Sequence, residues 1–227
     1  MVLALAVFVS DLRSQSLNPR LASVVERYLN HEPASAPVSY TAFRRLEAQG
    51  MGNSGWLEAW TTFERGHFTY EITAEGGSER VRERVLRKVL RSEQQAWANG
   101  EATRSGVTLA NYWFEPSDEQ SGHLFKIRLR PRDRANKLLI DGVAFLTPEG
   151  SRLVRVEGRL NGASSFWVRR VDITRSYRPL AGANVLVEVG SRANLRFSGQ
   201  GTFRMTYRYT HVNGRPVGVA NTLAGGS

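Results

Sequence analysis

The glycine spacing Gly50-x-Gly52-x-x-Gly55 is the pattern in this chain that most resembles a nucleotide-binding loop. In dinucleotide-binding proteins such glycines follow a buried strand and open a helix, so that backbone N–H groups meet a pyrophosphate. Here the segment before the glycines carries two arginines and a glutamate, and the segment from Trp56 to Arg65 has the character of a strand. The context therefore predicts a glycine-rich hairpin loop and no nucleotide site.

The residues that bind metals are too scattered to form a site by sequence spacing. The chain has no cysteine and four histidines, each in or beside a predicted turn. A zinc site needs closely spaced Cys, His or carboxylate ligands, and neither HExxH nor HxH occurs. The sequence predicts no metal and no cofactor. The histidines are His31, His67, His123 and His211.

No motif marks a nucleophile or an acid–base pair. Gly-x-Ser-x-Gly, which forms the nucleophile elbow of α/β-hydrolases, does not occur, and the carboxylates Glu115, Asp118 and Glu119 flank Pro116 in what looks like a solvated loop. We therefore predict no catalytic residues and no enzyme. An enzyme that assembles a buried polar pair in a cavity remains an alternative.

Positive charge is in excess, with 31 Lys+Arg against 21 Asp+Glu and a formal net charge of +10. Such an excess is typical of proteins that bind nucleic acid or another polyanion. The densest basic run, 80–91, is interrupted by Glu83 and by aliphatic residues at helical spacing, and most other arginines alternate with apolar residues. This favours solvated faces and disfavours a nucleic-acid partner. The polyanion alternative requires one positive patch formed by Arg82, Arg84, Arg87, Lys88 and Arg91.

The apolar segment Met1–Val9 is too short to span a bilayer, which takes about 20 residues. It resembles the apolar part of a signal peptide but lacks a basic start and an Ala-x-Ala cleavage site. Residues 1–16 are predicted to be a signal-peptide remnant or a disordered N-terminus, with an apolar strand as the alternative. Residues 17–213 form one domain, and the Gly- and Ala-rich segment 214–227 is a flexible tail. This predicts a periplasmic or otherwise exported protein.

Two segments have helical periodicity. Leu21, Val24, Val25, Tyr28 and Leu29 lie on one helical face after Asn18-Pro19, and Pro33 and Pro37 are expected to end this helix. The second helix runs from Glu79 to Ala98. Its apolar stripe consists of Val81, Val85, Leu86, Val89 and Leu90.

The rest of the chain alternates with period two, as strands with one wet face do. A three-strand meander is predicted over Tyr40–Ala48, Trp56–Arg65 and His67–Ala74. Further strands are predicted over Leu124–Arg130, Leu138–Phe145, Leu153–Leu160, Phe166–Ile173, Val185–Val189, Asn194–Phe197 and Phe203–Tyr209, with turn signals that include Asp141-Gly142.

These elements predict an α+β fold built on a large, curved antiparallel sheet of about 9–11 strands. A sheet of this length tends to curl, and the single apolar stripe of the second helix needs a partner surface. We expect a half-open β-barrel with a helical lid on its concave face, which encloses an apolar cavity. The aromatic residues of the chain would form the core and part of the cavity wall.

Several stretches resemble a known family. They are Leu138–Gly158, Ser165–Ile173 with Tyr177 and Gly182, Thr202–Tyr207, and Tyr40–Leu90 with its Arg44–Ala48 and Gly76–Ser78 segments. Together they resemble bacterial exported proteins related to the outer-membrane lipoprotein-sorting (LolA-like) carriers. The resemblance implies a half-barrel with a helical lid that holds acyl chains in the periplasm. Because the chain has no lipobox cysteine, a soluble carrier is the closer analogue.

The leading hypothesis is a non-enzymatic, monomeric carrier of a lipid or of a lipoprotein acyl chain, with the membrane surface as a further partner. The alternatives are a polyanion-binding module and an enzyme whose active site is the cavity. The residues predicted to contact the ligand are the lid residues Val81, Val85, Leu86, Val89 and Leu90 and the strand residues Phe125, Ile127 and Leu129.

Overall fold

The computed structural model describes residues 19–117, 123–149, 152–161, 168–195 and 199–218. The predicted signal remnant, 1–16, lies outside these residues, as does the end of the predicted tail from 219 onward. The start of that predicted tail contributes a two-residue strand, Arg215–Pro216.

Eleven strands form one antiparallel sheet with the order β3-β2-β1-β10-β9-β8-β7-β6-β5-β4, and β11 pairs with β10. The first meander, β1 to β3, joins the second, β4 to β10, through eleven register pairs between β1 and β10. In the described chain β3 and β4 are the two edges and do not pair, so the sheet is open. The predicted α+β fold with a curved antiparallel sheet is confirmed. The strands are β1 Ser39–Gly50, β2 Asn53–Glu64, β3 His67–Gly77, β4 Tyr112–Pro116, β5 Phe125–Pro131, β6 Ile140–Leu146, β7 Leu153–Leu160, β8 Val168–Leu180, β9 Ala183–Leu195, β10 Gly199–Val212 and β11 Arg215–Pro216.

Four hairpins share one turn chemistry. Each has two turn residues with positive φ, and the second is always glycine. Positive φ at both positions defines the type I′ turn, whose twist matches that of antiparallel strands. The Gly50–Gly55 segment is such a hairpin, as predicted, with φ of 53° at Met51 and 74° at Gly52.

β6 and β7 approach each other closely at a pair of glycines. Gly142 and Gly158 are register partners, and a Cβ atom added to Gly158 would lie 2.6 Å from the Gly142 Cα. Only two glycines allow backbones to approach so closely. The prediction that Asp141-Gly142 is a turn was wrong, because both residues lie inside β6.

Two helices cover the concave face. Helix α1, Pro19–Ser35, buries Val24, Val25 and Tyr28. It continues past Pro33, which was expected to end it, and it ends at Ser35, before Pro37. In the described chain no helix is both long and apolar enough to cross a membrane.

Helix α2 covers residues 79–98 and contains a π-helical turn, Arg82–Leu86, between the α-helical segments Glu79–Val81 and Arg87–Ala98. Leu86 and Leu90 are fully buried against the sheet. A short 3-10 helix, Ala102–Ser105, follows. The predicted limits of α2 agree with the structure.

One strand was wrongly divided in the prediction, and another was missed. Val185–Val189 and Asn194–Phe197 were expected to be separate strands, but β9 is continuous across Gly190. β4 was not predicted, because its five residues include too few inward positions to show an alternation.

Candidate functional site

A cavity of about 780 Å³ lies between α2 and the concave face of the sheet. Ligand pockets in proteins span about 300–1,000 Å³. Most lining side chains are aliphatic or aromatic. They come from α2 (Arg84, Val85, Lys88, Val89, Ser92, Glu93, Ala96, Trp97), β1 and β2 (Tyr40, Arg44, Phe63), β7 to β10 (Leu153, Leu160, Ile173, Arg175, Tyr177, Asn184, Leu186, Val189, Ser191, Phe203, Met205, Tyr207, Tyr209) and connecting segments (Ala36, Pro37, Ala102, Ser105, Gly106, Val107, Lys137, Leu138).

The predicted lid residues divide into two groups. Val85 and Val89 line the cavity, whereas Leu86 and Leu90 point into the core and have no exposed surface. Val81 packs over Gly55, whose added Cβ would lie 3.2 Å from the Val81 Cβ. Only part of the apolar stripe of α2 therefore faces the cavity.

The predicted strand residues lie elsewhere. Ile127 and Leu129 are buried in the core, and Phe125 packs against it. They are not among the described residues that line the cavity, because the strands that contribute to its wall are β1, β2 and β7 to β10. Alternation identifies inward residues on every strand equally, but it does not tell which part of a curled sheet is filled by core side chains.

Arg44 on β1 joins the sheet to α2 inside the cavity wall. Its Nη1 donates to Glu93 Oε2 at 2.6 Å, and its Nη2 donates to Glu93 Oε1 at 3.1 Å and to the Tyr40 hydroxyl at 2.8 Å. The Arg44 side chain has no exposed surface, and that of Glu93 is 25% exposed. The guanidinium carbon lies 4.5 Å from the Tyr207 ring centre and 4.9 Å from that of Phe68.

Burial and this charge pair shift the nearby pKa values. Burial raises the pKa of Tyr40 to about 12 against the lowering effect of Arg44. Burial likewise holds the pKa of Tyr207 and of Tyr209 well above the usual range for tyrosine. The phenols around Arg44 are therefore neutral, and Glu93 is the anion that compensates its charge.

Two lining side chains keep an unpaired polar atom. Arg44 Nε and Asn184 Oδ1 are buried and make no hydrogen bond in the described chain. The Asn184 amide nitrogen donates to the Leu153 carbonyl at 2.9 Å, which fixes the orientation of the amide. Leaving such atoms unpaired costs about 1–3 kcal/mol each.

The mouth of the cavity is marked by lining residues that are also exposed. Val85 on α2 is 37% exposed, and Leu138 in the β5–β6 connection is 36% exposed. Three cations accompany them, Arg84 and Lys88 on α2 and Lys137 beside Leu138. In the described part of the chain these three cations make no ion pair. The mouth thus combines an apolar rim with positive charge.

Arg175 on β8 is a cation inside the cavity. It is half-buried, shares the inward register of Ile173 and Tyr177, and lies opposite Val189 on β9. Burial raises the pKa of Tyr112 and of Tyr207, and the charge of Arg175 lowers both by less. The sequence carries a signal for Arg175 and Arg44, because each is a charge at an inward position of an alternating strand.

The outer side of α2 is held by carboxylates. Glu75 on β3 accepts from Arg82 Nη1 at 2.8 Å and from Arg87 Nη2 at 2.7 Å. Arg87 also pairs with Glu83 at 2.9 Å. The five cations of the basic run therefore do not form the unbroken positive patch that the polyanion alternative requires.

On the strands, arginines pair with carboxylates of neighbouring strands. Arg45 Nη1 lies 2.7 Å from Glu58 Oε1, and Arg204 Nε lies 2.8 Å from Glu188 Oε1. Arg130 reaches Glu115 at 2.8 Å, which places Glu115 on β4 and not in the predicted loop. Asp118 and Glu119 lie outside the described residues. The mixed-sign surface counts against a polyanion partner.

The described residues contain no group of three or more His, Asp or Glu side chains that could hold a metal ion. The site is thus an open half-barrel with an apolar cavity, one internal ion pair and several cations.

The comparisons with known proteins concern the fold. No protein-family model and no curated protein matches the chain. Among solved structures, the chain is similar to a "putative outer membrane lipoprotein-sorting protein domain" from Vibrio parahaemolyticus, with a TM-score of 0.35, 8% sequence identity and coverage of 82% of this chain and 91% of that chain.

Proposed function

We propose that this protein binds and carries an apolar ligand, a lipid or a lipoprotein acyl chain, in the cavity beneath α2, without catalysing a reaction. The observation that supports the proposal is the cavity of about 780 Å³ with its mainly apolar wall. The proposal includes an exported, periplasmic location, for which the apolar segment Met1–Val9 is the support.

The driving force for binding is the removal of apolar surface from water. Burying one methylene group contributes about 0.8 kcal/mol, so that a chain of a dozen carbons needs few polar contacts to bind. The affinity is expected to rise about fourfold for each added methylene group until the cavity is full.

The mouth of the cavity, between α2 and the 137–138 segment, gives such a ligand a way in. Inside, α2 is fixed by Glu93 on Arg44, and outside by Glu75 with Arg82 and Arg87. Leu86 and Leu90 add buried apolar contacts, so the helix is held on the sheet. The ligand therefore enters between α2 and the 137–138 segment.

The test is a titration with a neutral apolar dye, N-phenyl-1-naphthylamine, whose fluorescence rises in an apolar site. We compare the native protein with Leu186→Trp, which fills the cavity from β9, and with the matched control Thr62→Trp on an exposed position of β2. We expect saturable one-to-one binding by the native protein and the control, and at least tenfold weaker binding by Leu186→Trp. Equal binding by all three proteins, or none by the native protein, would contradict the proposal.

A further inference from the structure

We propose that the ligand is an anionic amphiphile, with a carboxylate or phosphate group at one end, and that Arg175 binds this group inside the cavity. The inference rests on the proposed function, since it names the ligand class of the same cavity. An apolar wall alone binds any acyl chain, whatever its head group. The inference adds a polar contact to the head group and a preference for negative charge.

The first argument is the charge balance of the wall. The described lining residues include five cations, Arg44, Arg84, Lys88, Lys137 and Arg175, and one carboxylate, Glu93. Both oxygens of Glu93 are bound to Arg44. The other four cations make no ion pair within the described chain, so the cavity carries uncompensated positive charge.

The second argument is the position of Arg175. It is half-buried among apolar and aromatic neighbours, with Ile173 and Tyr177 beside it on β8 and Val189 opposite on β9. A cation withdrawn from water without a partner is costly, and a bound anion offsets that cost. A guanidinium also matches a carboxylate or phosphate with two parallel hydrogen bonds.

The third argument is the separation of the cations by depth. Arg84, Lys88 and Lys137 are exposed at the mouth. There they attract an anion from solution, and salt screens this attraction. Arg175 is half-buried in the cavity wall, where water screens its charge less. A nucleic acid or another polyanion reaches the mouth only, whereas the head of a small amphiphile reaches Arg175.

The experiment compares ligands with the same chain and different heads, each below its micelle concentration. Dodecanoate, dodecyl phosphate, 1-dodecanol and dodecyltrimethylammonium displace N-phenyl-1-naphthylamine from the native protein, from Arg175→Met and from Arg178→Met. Arg178 is the matched control, because it lies on the same strand but is not among the described lining residues.

We expect the two anions to bind the native protein about tenfold more tightly than 1-dodecanol, with the cation weakest, because hydrogen bonds between charged groups are stronger than those between neutral groups. Arg175→Met is expected to abolish this preference and to leave dye and dodecanol affinities unchanged, while Arg178→Met keeps the preference. Preference for both anions indicates a general anion site, and preference for one identifies the head group.

Two results would overturn the inference. If the dye and dodecanol bind but the anions show no preference in the native protein, the ligand class is wrong while the proposed function stands. If the preference persists in Arg175→Met, another cation binds the head. Should Arg175→Met fail to fold, the head-group comparison in the native protein still decides whether the ligand class is anionic. Absence of all binding would overturn the proposed function as well.

Discussion

Replacing Glu93 by glutamine would leave Arg44 as a buried cation without a counter-charge. The Arg44 side chain has no exposed surface and gives two hydrogen bonds to the Glu93 carboxylate. Removing one partner of a buried ion pair costs about 3–5 kcal/mol. Because Glu93 is 25% exposed and glutamine keeps one acceptor, we expect the lower end, about 3 kcal/mol.

The assay is urea unfolding followed by circular dichroism, with melting temperature as a second readout. A loss of about 3 kcal/mol corresponds to a fall of roughly 6–12 °C for a chain of this size. The control is Glu83→Gln on the same helix, whose carboxylate is half exposed and pairs with Arg87 at 2.9 Å. Exposed pairs contribute about 0–1 kcal/mol, so this variant should be nearly as stable as the native protein.

A double variant separates the lost charge pair from lost packing. Arg44→Met/Glu93→Leu removes both charges and keeps apolar volume, and such replacements are often neutral. We expect it to recover most of the stability lost in Glu93→Gln. The reasoning fails if Glu93→Gln is no less stable than Glu83→Gln, or if the double variant is as unstable as Glu93→Gln.

Two further predictions concern the sheet and its tyrosines. Gly158→Ala should lower the free energy of unfolding in urea by about 1–3 kcal/mol, because its Cβ would meet the Gly142 Cα at 2.6 Å. Gly190→Ala, with open space around its Cβ, should leave this free energy unchanged. Equal effects of the two substitutions would contradict the close approach of β6 and β7. The pKa values of Tyr40, Tyr207 and Tyr209 are raised by burial. Below pH 10, the usual pKa of tyrosine, these phenols are neutral in both the folded and the unfolded protein, and their contribution to stability is complete. As the pH rises from 10 toward the raised pKa values of the folded protein, the free energy of unfolding falls by about 1.4 kcal/mol per pH unit for each group. Tyr207→Phe should flatten the decline of unfolding free energy above pH 10, and an unchanged slope would show that this phenol is not held neutral.

Much of the fold was predictable because its signals are local. Four X-Gly turns set the hairpins, and alternation in β1 places Ala42, Arg44 and Leu46 inward. The single apolar stripe of α2 predicted a lid. The short β4 was missed, because five residues do not establish a period.

The site was less predictable, because it depends on which inward positions the core leaves uncovered. Phe125, Ile127 and Leu129 have the same alternation as Ile173, Arg175 and Tyr177, yet only the second set lines the cavity. The packing of the whole sheet and its helices decides this, and local alternation carries no information about it. Arg44 and Arg175 were missed, because arginines that alternate with apolar residues were assigned to solvated faces and the predicted strand Phe166–Ile173 ended before Arg175.

The central claim is that the cavity holds an apolar ligand, and native mass spectrometry of the protein purified without detergent tests it most directly. The claim predicts that part of the native protein carries one added mass, which lipid extraction recovers as an acyl-chain compound and which Leu186→Trp lacks. A single unliganded mass for the native protein, unchanged after incubation with lipid extract, would contradict it.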